Sequence, residues 1–363
     1  MPWPVRPGTG VNNVVIGLRS AMCHDYDPEI VVTGWHEPYA GQVSLKMPGA
    51  SLPIRNLFGF FAYFVPNMVR LRNIMRGAVA ANPHFFGLEI LPLVVLRKLG
   101  LAPRLLLSVH GADVTQALQS GGIERKLYSW IYKTADVVIA CSHALASDVR
   151  RVSPQANVRA IWNGISNPPQ SSPQSPLQSP YIVSVAGFVK KKGHDVLLDA
   201  FGQLENTFPD LKLVLIGGDG PERGNIADQI VRMGLQTKVE MLVDLPHDLV
   251  WHWVRHAECF ALASREEPFG ISILEAALVH TPVLATAVGG VPEFLTNKVH
   301  GLICPPERPA ELAAAITETL TDKASAQWRA DNFYQHARQF TWQAAWEQYQ
   351  SAAGLPQPPD GEH

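Results

Sequence analysis

The sequence predicts an α/β protein built from two parallel-sheet, Rossmann-like domains that face each other across a cleft. Three observations lead to this fold class. The chain has 363 residues, more than a single hydrophobic core usually serves. Short apolar runs alternate with helical patterns along the chain, as in parallel sheets covered by helices. A segment poor in apolar residues divides these patterns into two groups.

The predicted strands are apolar runs that mostly end in Gly, Ser, His or Asn, close to a helix start. In open parallel sheets ligands bind at the carboxyl edge, so we expect the loops after these strands to carry the site. Before the dividing segment the runs are EIVVTGW at 29–35, RLLLSVHG at 104–111, DVVIACS at 136–142 and VRAIWNG at 158–164. After it they are YIVSVAG at 181–187, KLVLIGG at 212–218, ECFALAS at 258–264 and TPVLATAVGG at 281–290.

The dividing segment, SNPPQSSPQSPLQSP, has the Pro, Ser and Gln content of a linker. Near the N-terminus the loop PGTGVNN at 7–13 leads straight into a helical stretch, so the first strand of that domain is expected to be missing. A late amphipathic helix is expected to cross back to the first domain. The predicted divisions are an N-terminal domain at 1–165, the linker at 166–180, a C-terminal domain at 181–335, the returning helix at 336–355 and a disordered tail at 356–363.

Composition and charge exclude several classes of protein. Apolar residues make up 47% and charged residues 17%, which is typical of a soluble globular chain. The four cysteines form no C-x-x-C pair, so we expect no zinc site, no disulfide framework and a cytoplasmic location. No run reaches the roughly 18 apolar residues that a membrane span needs. The net charge of −2 gives no reason to expect a nucleic acid partner.

The charge is unevenly distributed along the chain. Residues 1–165 carry 16 basic and 9 acidic side chains, whereas residues 166–363 carry 14 and 23. Within the basic half, residues 55–76 hold four arginines, no acidic residue and an aromatic-rich run. This pattern suits a helix on an anionic membrane surface. We therefore expect that residues 55–76 can contact the inner face of the cell membrane as a peripheral segment. A buried helix with a solvated basic end is the alternative.

The segment at 258–293 is the most informative for chemistry. A strand is expected to end at Ser264, and Glu267 follows in a loop. Pro268-Phe269-Gly270 then opens a helix that carries Glu275. Free backbone N–H groups at such a helix start bind phosphate or hydroxyl groups, and two carboxylates can grip a polyhydroxylated ligand. Taken alone, each glutamate could equally be a helix-start charge or a solvated side chain.

Several motifs in order resemble the retaining glycosyltransferases of family 4, which have the glycosyltransferase B fold. The pattern E-x-F-G-x(4)-E-A, followed by P-V-x-A-x(3)-G-G-x-x-E, is complete between Glu267 and Glu293. The similarity covers roughly residues 8–350. Further matches are SVHGAD at 108–113, ADVVIACS at 135–142, WNGIS at 162–166, KKKGHDVLLDAF at 190–201, LVLIGGDGPER at 213–223 and GLICPP at 301–306.

The resemblance implies a role for each matching residue. Glu267 would contact hydroxyls of the donor sugar near its anomeric carbon, and Glu275 would hold the ribose of the nucleotide. Lys192 would neutralise the diphosphate leaving group. His110 would face the donor sugar across the cleft, although a strand-end histidine bonded to nearby backbone is the alternative. The other donor-binding residues implied are Phe269, Gly270, Ile271, Gly8 and Gly10.

The chain departs from the family pattern in its phosphate contacts. Gly187 stands where the family usually has an arginine that binds the diphosphate, so one bidentate contact is lost. We hypothesise that Lys190 or Lys191 compensates in part. The loop G-T-G-V-N-N also differs from the family's G-G-x-E-R, which makes an unusual acceptor plausible.

Two metal-like signals carry little weight. Asp25-Tyr26-Asp27 resembles a metal-binding D-x-D but is placed at the sheet edge away from the expected cleft. His252 and His256 have helical spacing without a third ligand. The expected function is retaining, metal-independent and cofactor-free transfer of a sugar from a nucleoside diphosphate sugar to a lipid-linked or polysaccharide precursor. A soluble acceptor and a catalytically weak nucleotide-sugar-binding protein are the alternatives, and UDP and GDP donors fit equally well.

Overall fold

The computed structural model describes residues 10–23, 26–32, 42–44, 57–170 and 174–355. The chain divides into two compact units, which are described separately. Unit 1 comprises residues 1–164 and 342–363, and unit 2 comprises residues 165–341.

The observed division differs from the predicted one at two points. The segment predicted as a linker belongs to unit 2, and the returning helix begins at Trp342. Residues 336–341, which were assigned to that helix, also belong to unit 2. The preceding helix ends at Ala337, and a short stretch without regular structure separates the two helices. The predicted tail at 356–363 lies outside the described residues.

Unit 1 contains a parallel sheet of four strands in the order β3-β4-β5-β6. Its central strands are continuous apolar runs, as expected for strands covered on both faces. A separate parallel pair joins β1 to β2. The strands are β1 (Ile30–Val32), β2 (Gln42–Ser44), β3 (Ala80–Ala81), β4 (Arg104–Val109), β5 (Val137–Ala140) and β6 (Val158–Ala160). The helices are α1 (Gly10–Met22), α2 (Leu57–Ile74), α3 (Leu91–Lys98), α4 (Ala112–Gln119), α5 (Gly122–Thr134) and α6 (His143–Val152), with α14 (Trp342–Ala353) returning to this unit.

Helix α14 packs within unit 1 through specific contacts. Trp346 meets the ring of Tyr26 edge to face, with the ring centroids 5.8 Å apart. The hydroxyl of Tyr349 lies 3.2 Å from that of Ser108 on β4, and Arg104 donates to the carbonyl of Ala353. The last helix of the chain therefore completes the first unit.

Unit 2 contains six parallel strands in the order β12-β11-β10-β7-β8-β9. Its core is formed by the buried faces of these strands and the helices that cover them. The strands are β7 (Tyr181–Val185), β8 (Lys212–Gly217), β9 (Val239–Val243), β10 (Cys259–Leu262), β11 (Val283–Thr286) and β12 (Leu302–Cys304). The helices are α7 (His194–Gly202), α8 (Arg223–Arg232), α9 (His247–Arg255), α10 (Ile271–Leu278), α11 (Val291–Phe294), α12 (Pro309–Thr321) and α13 (Lys323–Ala337).

The strand order of unit 2 determines where a ligand can bind. Strand β7 pairs with β8 on one side and β10 on the other, so the chain reverses its direction across the sheet between them. In doubly wound sheets the crevice at such a switch point is the usual ligand site. The loops after β7 and β10 are therefore brought together at one edge.

Each of the eight predicted runs contains an observed strand. Four further strands, β2, β3, β9 and β12, were not predicted. Three of them have only two or three residues, and β9 carries Glu240 within its apolar run. The run at 29–35 also differs from expectation, because β1 pairs with β2 and not with the four-stranded sheet.

Candidate functional site

A lysine and a glutamate meet at the switch point of unit 2. Lys192 ends a 3-10 turn after β7, and Glu267 lies in the loop between β10 and α10. The Lys192 Nζ atom is 2.6 Å from the Glu267 Oε2 atom, and the two side chains are 18% and 8% exposed. Charge-assisted bonds of this length are among the stronger hydrogen bonds in proteins. Sequence analysis predicted both residues for the donor site, and the structure brings them into contact.

The backbone of Glu267 is fixed by the Gly-Gly pair that follows β11. The Gly290 N–H donates to the Glu267 carbonyl at 3.0 Å. Gly289 has a φ of +53°, and a Cβ atom there would lie 2.0 Å from the same carbonyl oxygen. Only glycine allows this conformation and this close approach together. The Gly-Gly pair of the motif therefore holds the backbone of Glu267 in place.

Helix α10 begins without a side-chain cap. Gly270, at its N-cap, has a φ of 105°, and among the described residues no side chain caps its first turn. The first N–H groups of a helix lack partners within it, so those around Ile271 are suited to an anionic or hydroxyl ligand. Phe269 was also predicted to bind the donor. Its ring is 3% exposed and its centroid lies 5.2 Å from that of Phe294, so the side chain anchors the loop in the core.

Glu275 is 8% exposed and has a partner that sequence analysis missed. The Nε2 atom of His247, the first residue of α9, lies 3.2 Å from the Glu275 Oε1 atom. The hydrogen bond to Glu275 raises the pKa of His247. Just upstream, Asp244 has a φ of +54°, a backbone conformation that non-glycine residues adopt mainly at functional or tightly constrained positions. The apolar run at 241–243 was the available signal for His247, because it predicts a strand that ends shortly before this histidine.

The structure bears directly on the missing arginine. A Cβ atom at Gly187 would have one neighbour within 4 Å, the Gly218 carbonyl oxygen at 3.8 Å, so there is space for a side chain to begin. Lys190, proposed as a substitute, forms an ion pair with Asp195 at 2.7 Å. Within the described part of the chain, Lys191 has no ion-pair partner, which leaves it as the better candidate.

His110, after β4 of unit 1, is partly buried and pairs with the buried His84. Its Nε2 atom is 3.0 Å from the Nδ1 atom of His84, and the two rings stack at a centroid distance of 5.2 Å. Burial lowers the pKa of His110 to about 4 and holds the pKa of His84 well below its usual range. Both rings are therefore neutral near pH 7. His84 was not predicted, although its place three residues after the apolar run at 78–81 was a signal.

The backbone around His110 is bound by a buried aspartate. Asp113 is 3% exposed and accepts the N–H of His110 at 3.1 Å and that of Gly111 at 2.8 Å. Burial raises the pKa of Asp113 to about 6, although these hydrogen bonds oppose the shift. Gly10 is the first residue of α1 and is exposed, and no atom of the described residues would lie within 4 Å of a Cβ atom there. Gly8 lies outside the described residues.

Metal and membrane features were also sought in the described ranges. No group of three His, Cys, Asp or Glu side chains there is arranged to hold a metal ion. Asp25 falls outside those ranges. The ring centroids of His252 on α9 and His256 directly after it lie 4.9 Å apart. Of the helices whose residues are described, none is both long and apolar enough to cross a bilayer.

The two parallel-sheet units give the chain the fold of the glycosyltransferases of the B type. Over 94% of the chain the structure superposes on sucrose-phosphate synthase from Thermosynechococcus elongatus, covering 92% of that chain, with a TM-score of 0.74 and 23% identity. It also superposes on Anabaena HepE in complex with UDP and glucose, over 98% of each chain, with a TM-score of 0.78 and 18% identity. The predicted fold class is confirmed.

Two family models divide the chain between them. Residues 8–167 match Glycosyltransferase Family 4, and residues 169–340 match Glycosyl transferases group 1. The chain therefore belongs to the glycosyltransferases that these two models describe, as the motifs indicated.

The curated relatives match only part of the chain. A glycogen synthase of Mycobacterium tuberculosis is 28% identical over 62% of this chain and 56% of its own length. A D-inositol 3-phosphate glycosyltransferase of Jonesia denitrificans is 32% identical over 44% of this chain and 40% of its own length. The chain thus spans about half the length of the curated relatives it matches.

Proposed function

We propose that the protein is a retaining glycosyltransferase that moves a sugar from a nucleoside diphosphate sugar to an acceptor. The observation that carries this proposal is the buried contact of 2.6 Å between Lys192 and Glu267 at the switch point of unit 2. A cation placed beside a carboxylate, next to an uncapped helix start, can serve a diphosphate and a sugar hydroxyl together.

The proposed chemistry follows from these groups. Lys192 and the N–H groups at the start of α10 stabilise the negative charge that develops on the leaving diphosphate. Glu267 binds hydroxyls of the donor sugar, and Glu275 binds those of the ribose. The leaving phosphate accepts the proton of the incoming hydroxyl, which attacks from the same face and retains the anomeric configuration. Transfer then needs neither a metal nor a resident cofactor. His110 keeps the role that the family resemblance implies, which is to face the donor sugar.

The acceptor is proposed to be a lipid-linked or polysaccharide precursor at the inner face of the cell membrane. Helix α2 of unit 1 supports this choice. Val65 is 59% exposed and Val69 is 55% exposed. Arg70, Arg72 and Arg76, close to these valines along the chain, are exposed as well. Exposed apolar and basic side chains on one helix suit the surface of an anionic bilayer.

The donor and the reaction are tested by mass spectrometry of nucleotide release from UDP-, GDP- and ADP-sugars, with and without cell lipid extract. UDP-glucose is the first donor to try, because the matching HepE structures contain UDP or UDP-glucose. We expect release from one donor, stimulated by lipid and abolished in Glu267→Ala. Nucleotide binding without release from any donor would support the alternative of a weak nucleotide-sugar-binding protein.

The membrane contact is tested by sedimentation with anionic liposomes. Changing Arg70 and Arg72 of α2 and Arg76 just after it to glutamate (the α2 variant) is expected to abolish binding, because each basic residue near the surface contributes about 1 kcal/mol. A matched control makes the same change at three exposed basic residues elsewhere in unit 1, namely Lys133, Arg151 and Arg159. An equal loss of liposome binding in both variants would show that only the net charge of the protein matters. Binding that is unchanged in the α2 variant would favour a soluble acceptor.

A further inference from the structure

We infer that Arg265 is a positioning residue that ties together the loops after β7, β10 and β12 and thereby holds Lys192 against Glu267. This inference rests on the proposed function, because it concerns the same lysine. Arg265 lies in the loop between β10 and α10, two residues before Glu267, and its side chain is 20% exposed. Its guanidinium group contacts residues on both of the other loops.

The first set of contacts is with the segment that carries Lys192. Arg265 Nη1 and Nη2 donate to the two carboxylate oxygens of Asp195 at 2.8 and 2.9 Å. Nη1 also donates to the carbonyl of Lys190 at 2.8 Å. Lys190 opens the 3-10 turn that ends at Lys192, and Asp195 lies in the first turn of α7 just beyond it. Because a bidentate pair fixes orientation as well as distance, the turn is held on both sides of Lys192.

The backbones of the same two loops are also joined. The N–H groups of Arg265 and Glu266 both donate to the Lys191 carbonyl, at 2.8 and 3.2 Å. Gly193 has a φ of +65°, and a Cβ atom there would lie 2.0 Å from the Ala263 carbonyl oxygen. These contacts do not involve the guanidinium group. Removing it should therefore loosen the turn without detaching it, so a variant at Arg265 remains testable.

The third loop contributes Glu307, after β12. Arg265 Nη2 is 3.2 Å from the Glu307 Oε2 atom, and Arg265 Nε also donates to that carboxylate. Glu307 has a φ of 61°, in the left-handed region that residues with a Cβ atom rarely adopt. Such strain persists where surrounding contacts fix it, and the ion pair with Arg265 is one such contact. One guanidinium group thus connects three strand ends along the edge where the donor is proposed to bind.

The test is a double-mutant cycle on kcat/KM for the nucleotide sugar. Arg265→Gln is expected to lower kcat/KM by about 10- to 100-fold, because a displacement of about 1 Å at a catalytic group can cost about 100-fold. Most of the loss should fall on kcat. In a Lys192→Gln background the same change should cost less than about twofold, since Arg265 acts through Lys192. Arg232→Gln, on the exposed end of α8, is the matched control and should leave kcat/KM unchanged.

A second readout does not require activity. Acetylation of the Lys192 amine, followed by mass spectrometry, should be faster in Arg265→Gln than in the wild type. Arg265→Lys and Asp195→Asn should give intermediate rates, since each keeps part of the contact. Equal losses of kcat/KM in both backgrounds, or an unchanged acetylation rate, would overturn the inference. If the wild type releases no nucleotide, the proposed function fails, and the acetylation rates still decide whether Arg265 holds the turn.

Discussion

Replacing Lys192 by methionine should destabilise unit 2 by removing the partner of a buried carboxylate. Breaking a buried ion pair costs roughly 3–5 kcal/mol because it leaves an uncompensated charge. Glu267 is 8% exposed, whereas Lys192 is 18% exposed, so water reaches the pair to a limited extent. We therefore expect the free energy of unfolding to fall by about 3 kcal/mol, the lower end of this range. For a unit of this size that corresponds to a fall in melting temperature of roughly 6–12 °C.

The chain offers a closely matched control. Lys238 is also 18% exposed and pairs with Glu205 at 3.1 Å, but this glutamate is 44% exposed. A solvated carboxylate that loses its partner is stabilised by water, so Lys238→Met should cost less than about 1 kcal/mol. Adding Glu267→Gln to Lys192→Met removes the unpaired charge and should recover most of the lost stability without restoring transfer activity.

The assay is thermal unfolding of the four proteins, with hydrogen exchange of peptides from β7 and β10 to assign the change to unit 2. The reasoning predicts a large loss for Lys192→Met, a small loss for Lys238→Met and recovery in the double variant. Equal losses for the two single variants would refute it, because burial of the carboxylate would then have no energetic effect.

Three other changes test the site. Gly187→Arg should lower the KM for the donor by about tenfold, since a hydrogen bond to a charged group contributes about 1.5 kcal/mol or more; an unchanged KM would show that the missing arginine is not limiting. His247→Gln should flatten the dependence of melting temperature on pH. The raised pKa of His247 means that its pairing with Glu275 stabilises the fold fully below about pH 6.5 and is lost as the pH rises through the folded pKa; an unaltered profile would contradict this. Gly289→Ala should lower the free energy of unfolding by at least about 1–2 kcal/mol, because an alanine is strained in this left-handed backbone conformation. It should also reduce kcat, because Glu267 must shift. A melting temperature and an activity equal to those of the wild type would exclude both effects.

Most of the strands that the sequence predicted share one physical property. Runs such as those of β4, β5, β7 and β10 are buried on both faces and are therefore almost continuously apolar. The unpredicted strands β2, β3 and β12 have only two or three residues, whereas β1 and β6, which are equally short, lie within longer apolar runs. Pairing of β1 with β2 depends on long-range contacts, and so does the adjacency of β7 and β10. The switch point therefore became visible only in the folded chain.

The candidate site was predictable in part. Motif resemblance selected Glu267, Glu275 and Lys192 as candidate residues, because each lies in a short ordered pattern. Their partners follow from tertiary structure. Lys192 and Glu267 are 75 residues apart in the chain, and His247 reaches Glu275 from a neighbouring helix. No local pattern specifies which side chains meet across such distances.

The contacts of Arg265 also change the argument about the absent arginine at Gly187. Lys190 was a candidate to replace that charge, but its ammonium group lies 2.7 Å from Asp195, the carboxylate that Arg265 also binds. Moving Lys190 to a phosphate would remove one of the two cations that hold Asp195 and weaken the turn that positions Lys192. If the diphosphate binds at Lys192 as proposed, we therefore expect compensation for the absent arginine to depend on Lys191, which has no ion-pair partner among the described residues.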